Sequence, residues 1–246
     1  MLDVQNVVKR FGGLLAIDRA SIRVEAGQIV ALIGPNGAGK TTLFSTVSGF
    51  YRPDAGTVRF DGRDITGLPP HRICRLGMVR TFQITQPFSR LSVIENIMVG
   101  IYNHARNRRQ AEAEARGIAE SVGMGAMLHV RSTELTVAAR KRLELARALG
   151  TRPRLLLLDE VMAGLTPTEI VEIIGIIKGI RDGGVTVLLI EHVMQAVMSL
   201  ADHVYVLSEG RLIAQGAPRQ VTRDPVVIEA YLGKSAAQAM EVHAHA

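Results

Sequence analysis

The stretch IVALIGPNGAGKTT, residues 29–42, decides the fold. Its first five residues are an unbroken apolar run rich in β-branched side chains, which reads as a buried strand. Directly after it, GPNGAGKTT fits the spacing G-x-x-x-x-G-K-[ST] at Gly34, Gly39, Lys40 and Thr41. Glycines in this pattern let the backbone curl so that successive N–H groups point inward, and the helix that starts there adds its positive end. The loop Gly34, Pro35, Asn36, Gly37, Ala38, Gly39, Lys40, Thr41 and Thr42 is therefore expected to cradle a chain of phosphates. Lys40 would reach the β and γ phosphates and the Thr41 hydroxyl would ligate magnesium, so the expected ligand is ATP with Mg2+. Average composition gives a chance match to this pattern on the order of one in a hundred for a chain of this length.

Such a loop needs a neighbouring strand that ends in acid. Leu155, Leu156, Leu157 and Leu158 run into Asp159 and Glu160. Asp159 at the strand end would hold magnesium through water, and Glu160 would polarise the attacking water. A third apolar run, residues 185–190, ends at Glu191 and His192. At the carboxyl edge of a sheet His192 would sense the γ phosphate and position the water. Gln83, within RTFQ, is by itself an ordinary polar loop residue.

Outward from these motifs, the N-terminal third reads as short strands at 2–8, 20–24, 29–33 and 56–60, broken by turns such as Arg52-Pro53-Asp54 and Asp61-Gly62. This pattern predicts an antiparallel sheet feeding a central strand. From about residue 92 to 150 the pattern turns helical, with polar stretches such as RNRRQAEAEARGIAE carrying apolar residues at broken helical spacing. The runs at 155–158 and 185–190, with a helix expected over 168–181 between them, imply a parallel pair. The predicted class is α/β: a P-loop NTPase core with an antiparallel β subdomain and an inserted helical subdomain. The chain reads as one nucleotide-binding domain over 1–246, with residues 1–91 and 151–234 forming the core and β subdomain. Residues 92–150 form the helical subdomain, and 235–246 read as a flexible tail.

Bulk composition narrows the partners. The chain has 246 residues, 47% of them hydrophobic, which suffices for one large core but leaves no room for a second domain of the same kind. No apolar run approaches the ~20 residues of a membrane-spanning helix, and MLDVQNVVKR lacks the apolar stretch of a secretory signal. The expected location is the cytoplasm, with any membrane reached through partner subunits. Cys74 is the only cysteine, so neither an internal disulfide nor a cysteine-based metal site is available. A net charge of +6 and pI near 9.9 raise the question of nucleic acid. The basic residues are scattered, however, Trp is absent and aromatics are only 4%, so nucleic acid is not an expected partner.

Taken in order, these segments resemble the ATP-binding subunits of ABC transporters, and among them the branched-chain amino acid importers. The likeness rests on FGGLLAID at 11–18, IGPNGAGKTT, SGFYRPDAGTV, VRTFQ at 79–83, IENI at 94–97, LLLLDEVMAGLTPTE at 155–169, IEHVM at 190–194 and EAYLG at 229–233. The resemblance implies an ATPase that energises import. It casts Phe11 as the aromatic that stacks on adenine, and Gln83 as the loop glutamine that touches magnesium and the attacking water and links to the membrane subunits. Glu160 becomes the general base, His192 the switch histidine, and Lys40 a catalytic contact. Residues 163–166 are similar to the loop that crosses the dimer interface, with Thr166 where Asp is commoner. Implied partners are a second ATP-binding subunit, transmembrane permease subunits and, indirectly, a periplasmic or surface solute-binding protein. The chain would then lie peripherally on the inner face of the cell membrane.

One motif departs from the family. Where the signature L-S-G-G-Q is expected, residues 135–139 read LTVAA, followed by RKRLELARAL. Thr136 keeps a hydroxyl for the partner's nucleotide, but Val137 and Ala138 add Cβ atoms and Ala139 cannot donate a side-chain hydrogen bond. An intact loop beside a worn signature favours a heterodimer with one competent and one weakened site, over a homodimer that tolerates the change. Two other classes are weighed. A soluble ABC ATPase acting on ribosomes or nucleic acid usually carries two cassettes or a long coiled-coil insertion, and this chain shows neither. A P-loop kinase or GTPase has no place for the Phe11 segment, Gln83 or His192. Importers of urea, amides or aromatic acids share most of these motifs, so the solute is not written in them.

Overall fold

The computed structural model describes residues 1–81 and 87–232. Gln83 and the expected tail at 235–246 lie outside the described residues. The strands are β1 (Leu2–Phe11), β2 (Leu14–Val24), β3 (Ile29–Ile33), β4 (Ala55–Phe60), β5 (Arg63–Asp64), β6 (Met78–Arg80), β7 (Leu155–Asp159), β8 (Thr186–Ile190), β9 (His203–Ser208) and β10 (Arg211–Gly216). The helices are α1 (Lys40–Val47), α2 (Pro70–Arg75), α3 (Val93–Ile101), α4 (Arg108–Ser121), α5 (Val137–Leu149), α6 (Pro167–Asp182), α7 (Met194–Leu200), α8 (Pro218–Val221) and α9 (Pro225–Leu232). They fall into two compact units, Met1–Pro70 with Leu188–Ala246, and His71–Val187.

In the first unit an antiparallel sheet runs β2-β1-β4-β5. Leu2 and Val4 of β1 are buried on either side of a more accessible Asp3, the period-two pattern of a sheet with one wet face, and an irregularity at Gln5 and Asn6, with Asn6 at φ 48, moves the next buried residue to Val7. The first two strands are longer than the sequence pattern suggests. β1 and β2 pair, through several register shifts, as far as Phe11 opposite Leu14, because Gly12 takes φ 57 and closes a two-residue hairpin. That hairpin places Phe11 at a strand end. The Asp61-Gly62 turn is of the same kind, with both residues at positive φ (49° and 75°), and it pairs β4 with β5. Strands β10, β9 and β3 lie side by side, β3 parallel to β9 with Ile33 opposite Val206. All five residues of β3 are buried, which is why it reads as a continuous apolar run instead of an alternating one.

In the second unit β6 runs parallel to β7, with Arg80 opposite Leu157. Helices α3, α4 and α5 share a core built from Val93, Ile97, Ile101, Leu143 and the alanines Ala111, Ala115 and Ala119 of α4. The alanine stripe at four-residue spacing is the buried face of α4, and small side chains made it look weakly amphipathic in the sequence. Two helix starts follow the capping-box rule: Ser92 with Glu95 opens α3, and Thr166 with Glu169 opens α6. Thr166, the residue that replaces the commoner Asp, thus serves as a helix cap, a position where Thr and Asp are both favoured.

Gly100 marks the tightest helix contact of this unit, since a Cβ there would lie 2.5 Å from the backbone oxygen of Arg147 on α5. Gly100→Val should therefore overpack the helical core and lower the melting temperature by on the order of 5 °C in calorimetry. Gly117→Ala is the control, because a Cβ on α4 there meets nothing within 4 Å. That change should raise stability slightly through helix propensity.

Candidate functional site

The first unit holds Phe11, the phosphate loop and His192. Gly34 follows β3 with φ 149, and a Cβ on it would sit 2.0 Å from the backbone oxygen of Leu207 in β9. Gly39 has φ 101 and is also confined, though less tightly, with Ala16 O 2.5 Å from the would-be Cβ. The two glycines are thus fixed by close backbone approach, whereas Gly37 (φ 79) has nothing within 4 Å and is there for its conformation. Gly39 caps α1 without a side-chain hydrogen bond, so no side chain of that residue covers the first N–H groups of the helix. Lys40 is 7% exposed, and its Nζ donates to the carbonyls of Gly34 (2.7 Å) and Pro35 (2.9 Å). Asn36, Gly37 and Thr41 are exposed, and Pro35 and Thr42 half-buried. Positive-φ glycines along the loop, a buried ammonium and a helix start with no side-chain cap together suit a polyphosphate anion.

Phe11 is 42% exposed and meets the edge of Tyr51 with ring centroids 5.1 Å apart. Lys9 Nζ stands 5.4 Å from its ring centre. Tyr51 is a neighbour that the sequence did not point to, since 40 residues separate the two and no spacing rule links them. His192 follows β8 and is exposed, while Glu191 beside it is 1% exposed.

The second unit holds Asp159, Glu160 and Thr136. All of β7 is buried, and Asp159 at its end is 2% exposed. Its Oδ2 accepts from Arg80 Nη2 at 2.8 Å, and its backbone N–H donates to Thr81 Oγ1 at 3.3 Å. Glu160 is half-buried and takes φ 48, a left-handed conformation that costs a non-glycine residue about 1–2 kcal/mol. That turn ends the strand and swings the Glu160 side chain out of its alternation. Lys141 Nζ reaches the Glu160 carbonyl at 3.5 Å from α5. Thr136 is the exposed N-cap of α5, its Oγ1 accepting from Ala139 N–H. Val137 is 56% exposed, while Ala138 and Ala139 are each 7% exposed. The Thr41 hydroxyl and the Asp159 carboxylate are hard oxygen donors of the kind that suits Mg2+. Among the described residues no cluster of three or more His, Cys, Asp or Glu is arranged to hold a metal.

An apolar strand feeding a glycine loop that folds its lysine inward, together with a second strand ending in a buried aspartate and a strained glutamate, defines a P-loop nucleotide-binding cassette. The chain belongs to the ABC transporter family, whose model matches residues 17–163. A second model, the branched-chain amino acid ATP-binding cassette transporter, matches residues 211–237. The high-affinity branched-chain amino acid transport ATP-binding protein BraF of Pseudomonas aeruginosa is 42% identical, over 96% of this chain and 98% of that protein. Its counterpart LivG of Escherichia coli is 39% identical over the same shares. The crystal structure of the ADP conformation of MJ1267, an ATP-binding cassette of an ABC transporter, superposes with a TM-score of 0.87. It is 33% identical and covers 95% of this chain and 99% of that one. The chain accordingly has the α/β P-loop NTPase fold, binds nucleotide and is an ATPase. No described helix is long and apolar enough to cross a membrane.

Proposed function

We propose that this chain is the ATP-hydrolysing subunit that energises an importer of branched-chain amino acids, docked on the inner face of the membrane against permease subunits. What supports it most is full-length kinship with BraF and LivG combined with a complete set of phosphate-loop residues and the Asp159–Glu160 pair. Phe11 stacks on adenine, and residues 34–42 wrap the phosphates through their N–H groups. Thr41, Asp159 and Gln83 would hold Mg2+, which would neutralise phosphate charge. Glu160 takes the proton of the attacking water, and His192 orients that water. The deciding experiment reconstitutes the chain with its neighbouring permease and binding-protein genes in proteoliposomes and measures ATP-driven uptake. Uptake of leucine, isoleucine or valine is the expected result. Uptake of urea, an amide or an aromatic acid instead would refute the solute assignment, and binding to RNA in place of permease would refute the transporter role.

We further propose that its working partner is a second, different cassette. Thr136 presents a hydroxyl toward the partner's nucleotide, but exposed Val137 stands where a glycine would admit it. Ala139 packs in the helical core, so a glutamine there would have to be buried. The informative change is therefore Val137→Gly/Ala138→Gly alone. Steady-state hydrolysis by the purified chain should rise by on the order of tenfold if one close contact per site is restored. An unchanged rate would remove the worn signature as the reason for pairing with another cassette.

A further inference from the structure

We propose that Arg80 is a positioning residue for the magnesium ligand Asp159, an inference that rests on the nucleotide-site reading above. Arg80 ends β6 and Asp159 ends β7, and the two side chains form an ion pair at 2.8 Å with only 7% and 3% exposure. The next residue grips the same aspartate by its main chain. Thr81 N–H donates to the Leu157 carbonyl at 2.9 Å, and Thr81 Oγ1 accepts from Asp159 N–H. Two consecutive residues thus hold the backbone and one carboxylate oxygen of Asp159. Among the described residues no group donates to the other oxygen, Oδ1.

Stability alone does not account for this arrangement. A buried ion pair returns little net stability, because desolvating two charges offsets their attraction, and an apolar pair of equal volume is often as good. A guanidinium fixed on one oxygen does have a use beside a metal, since it stops the carboxylate from rotating and leaves the second oxygen as the one presented to the hydrated cation. Carboxylates that serve metals are commonly held in this way by an outer partner, and loss of that partner weakens metal affinity by about 10–100-fold. Each positive charge takes its own oxygen, so arginine and metal are partners on one carboxylate. Arg80 also stands three residues before Gln83 in the sequence, so the segment that leads into that glutamine is the one that orients the aspartate.

The test is a magnesium titration of fluorescent ADP-analogue binding, run on the full chain beside a titration of the same nucleotide in EDTA. In Arg80→Gln the apparent magnesium affinity should fall on the order of tenfold while nucleotide affinity in EDTA stays within about twofold of the parent. Arg80→Lys, which keeps the charge and loses the planar fork, should fall between the two. Thermal unfolding accompanies each titration. If Arg80→Gln does not unfold cooperatively, Arg80→Lys carries the test, and an unshifted magnesium response in the folded variant overturns the proposal. A tighter magnesium response would overturn it too, because it would make Arg80 a competitor of the metal. Nucleotide binding by the parent chain that ignores magnesium would sink the nucleotide-site reading itself, separately from the role of Arg80.

Discussion

Glu160→Gln should slow ATP hydrolysis by about 10²–10⁴-fold and leave nucleotide affinity nearly as it was. The substitution keeps shape and hydrogen-bonding capacity but removes the ability to take a proton. The structure gives a reason to choose this residue over its neighbours. Asp159 is 2% exposed and engaged by Arg80, whereas Glu160 is half-buried and turned out of the strand by a positive φ of 48°. Strain of that kind costs energy and persists only where the surroundings enforce it, and it clusters at working sites. The measurement is single-turnover phosphate release beside equilibrium binding of a fluorescent nucleotide, on the chain assembled with its partner cassette. A rate within tenfold of the parent would mean that another group takes the proton, and Glu160 would keep only a structural role.

Gly34→Ala should be the most damaging single-methyl change in the phosphate loop. The added Cβ would lie 2.0 Å from a backbone oxygen of β9, and Gly34 is held at φ 149 where an L side chain is strained. Overpacking and backbone strain together amount to about 3–5 kcal/mol. Gly37→Ala isolates one of the two effects, because φ is 79° there but nothing lies within 4 Å. It should cost about 1–2 kcal/mol. Urea unfolding of both variants reads the difference directly as a shift in midpoint at constant slope. Equal losses at the two positions would show that conformation, not contact with β9, dictates the first glycine of the motif.

Much of the fold was legible because the decisive signals are local. A strand followed by G-x-x-x-x-G-K-T, or four leucines followed by two acids, lies within a window of ten residues or so, and backbone geometry enforces those spacings. Element ends were less so. The hairpin at Gly12 and Gly13 extended both β1 and β2 beyond the expected strands, since Gly12 at φ 57 turns the chain within two residues and carries both strands to the turn. The small alanines of α4 hid its buried face. At the site, pairs separated by long stretches of chain were invisible. Arg80 and Asp159 stand 79 residues apart, and Phe11 and Tyr51 stand 40 apart. Only the parallel register of β6 on β7 brings the first pair together, and the sequence does not encode that register in any spacing. The signature stretch behaved oppositely. Its departure from the family was plain in the sequence, while the burial of Ala139 against the solvent exposure of Val137 emerged only from the packing of α5.

The inward fold of Lys40 changes what nucleotide binding means for this loop. Its ammonium is already satisfied by two carbonyl oxygens of the motif that it serves. On the function proposed above, binding is an exchange reaction, in which phosphate oxygens replace carbonyl oxygens around one nitrogen. The affinity contributed by Lys40 is the difference between two coordination shells, and a charged hydrogen bond is gained as others are given up. On that reading the same two carbonyl bonds fix both the curl of the loop and the place of the ammonium that phosphate would take over.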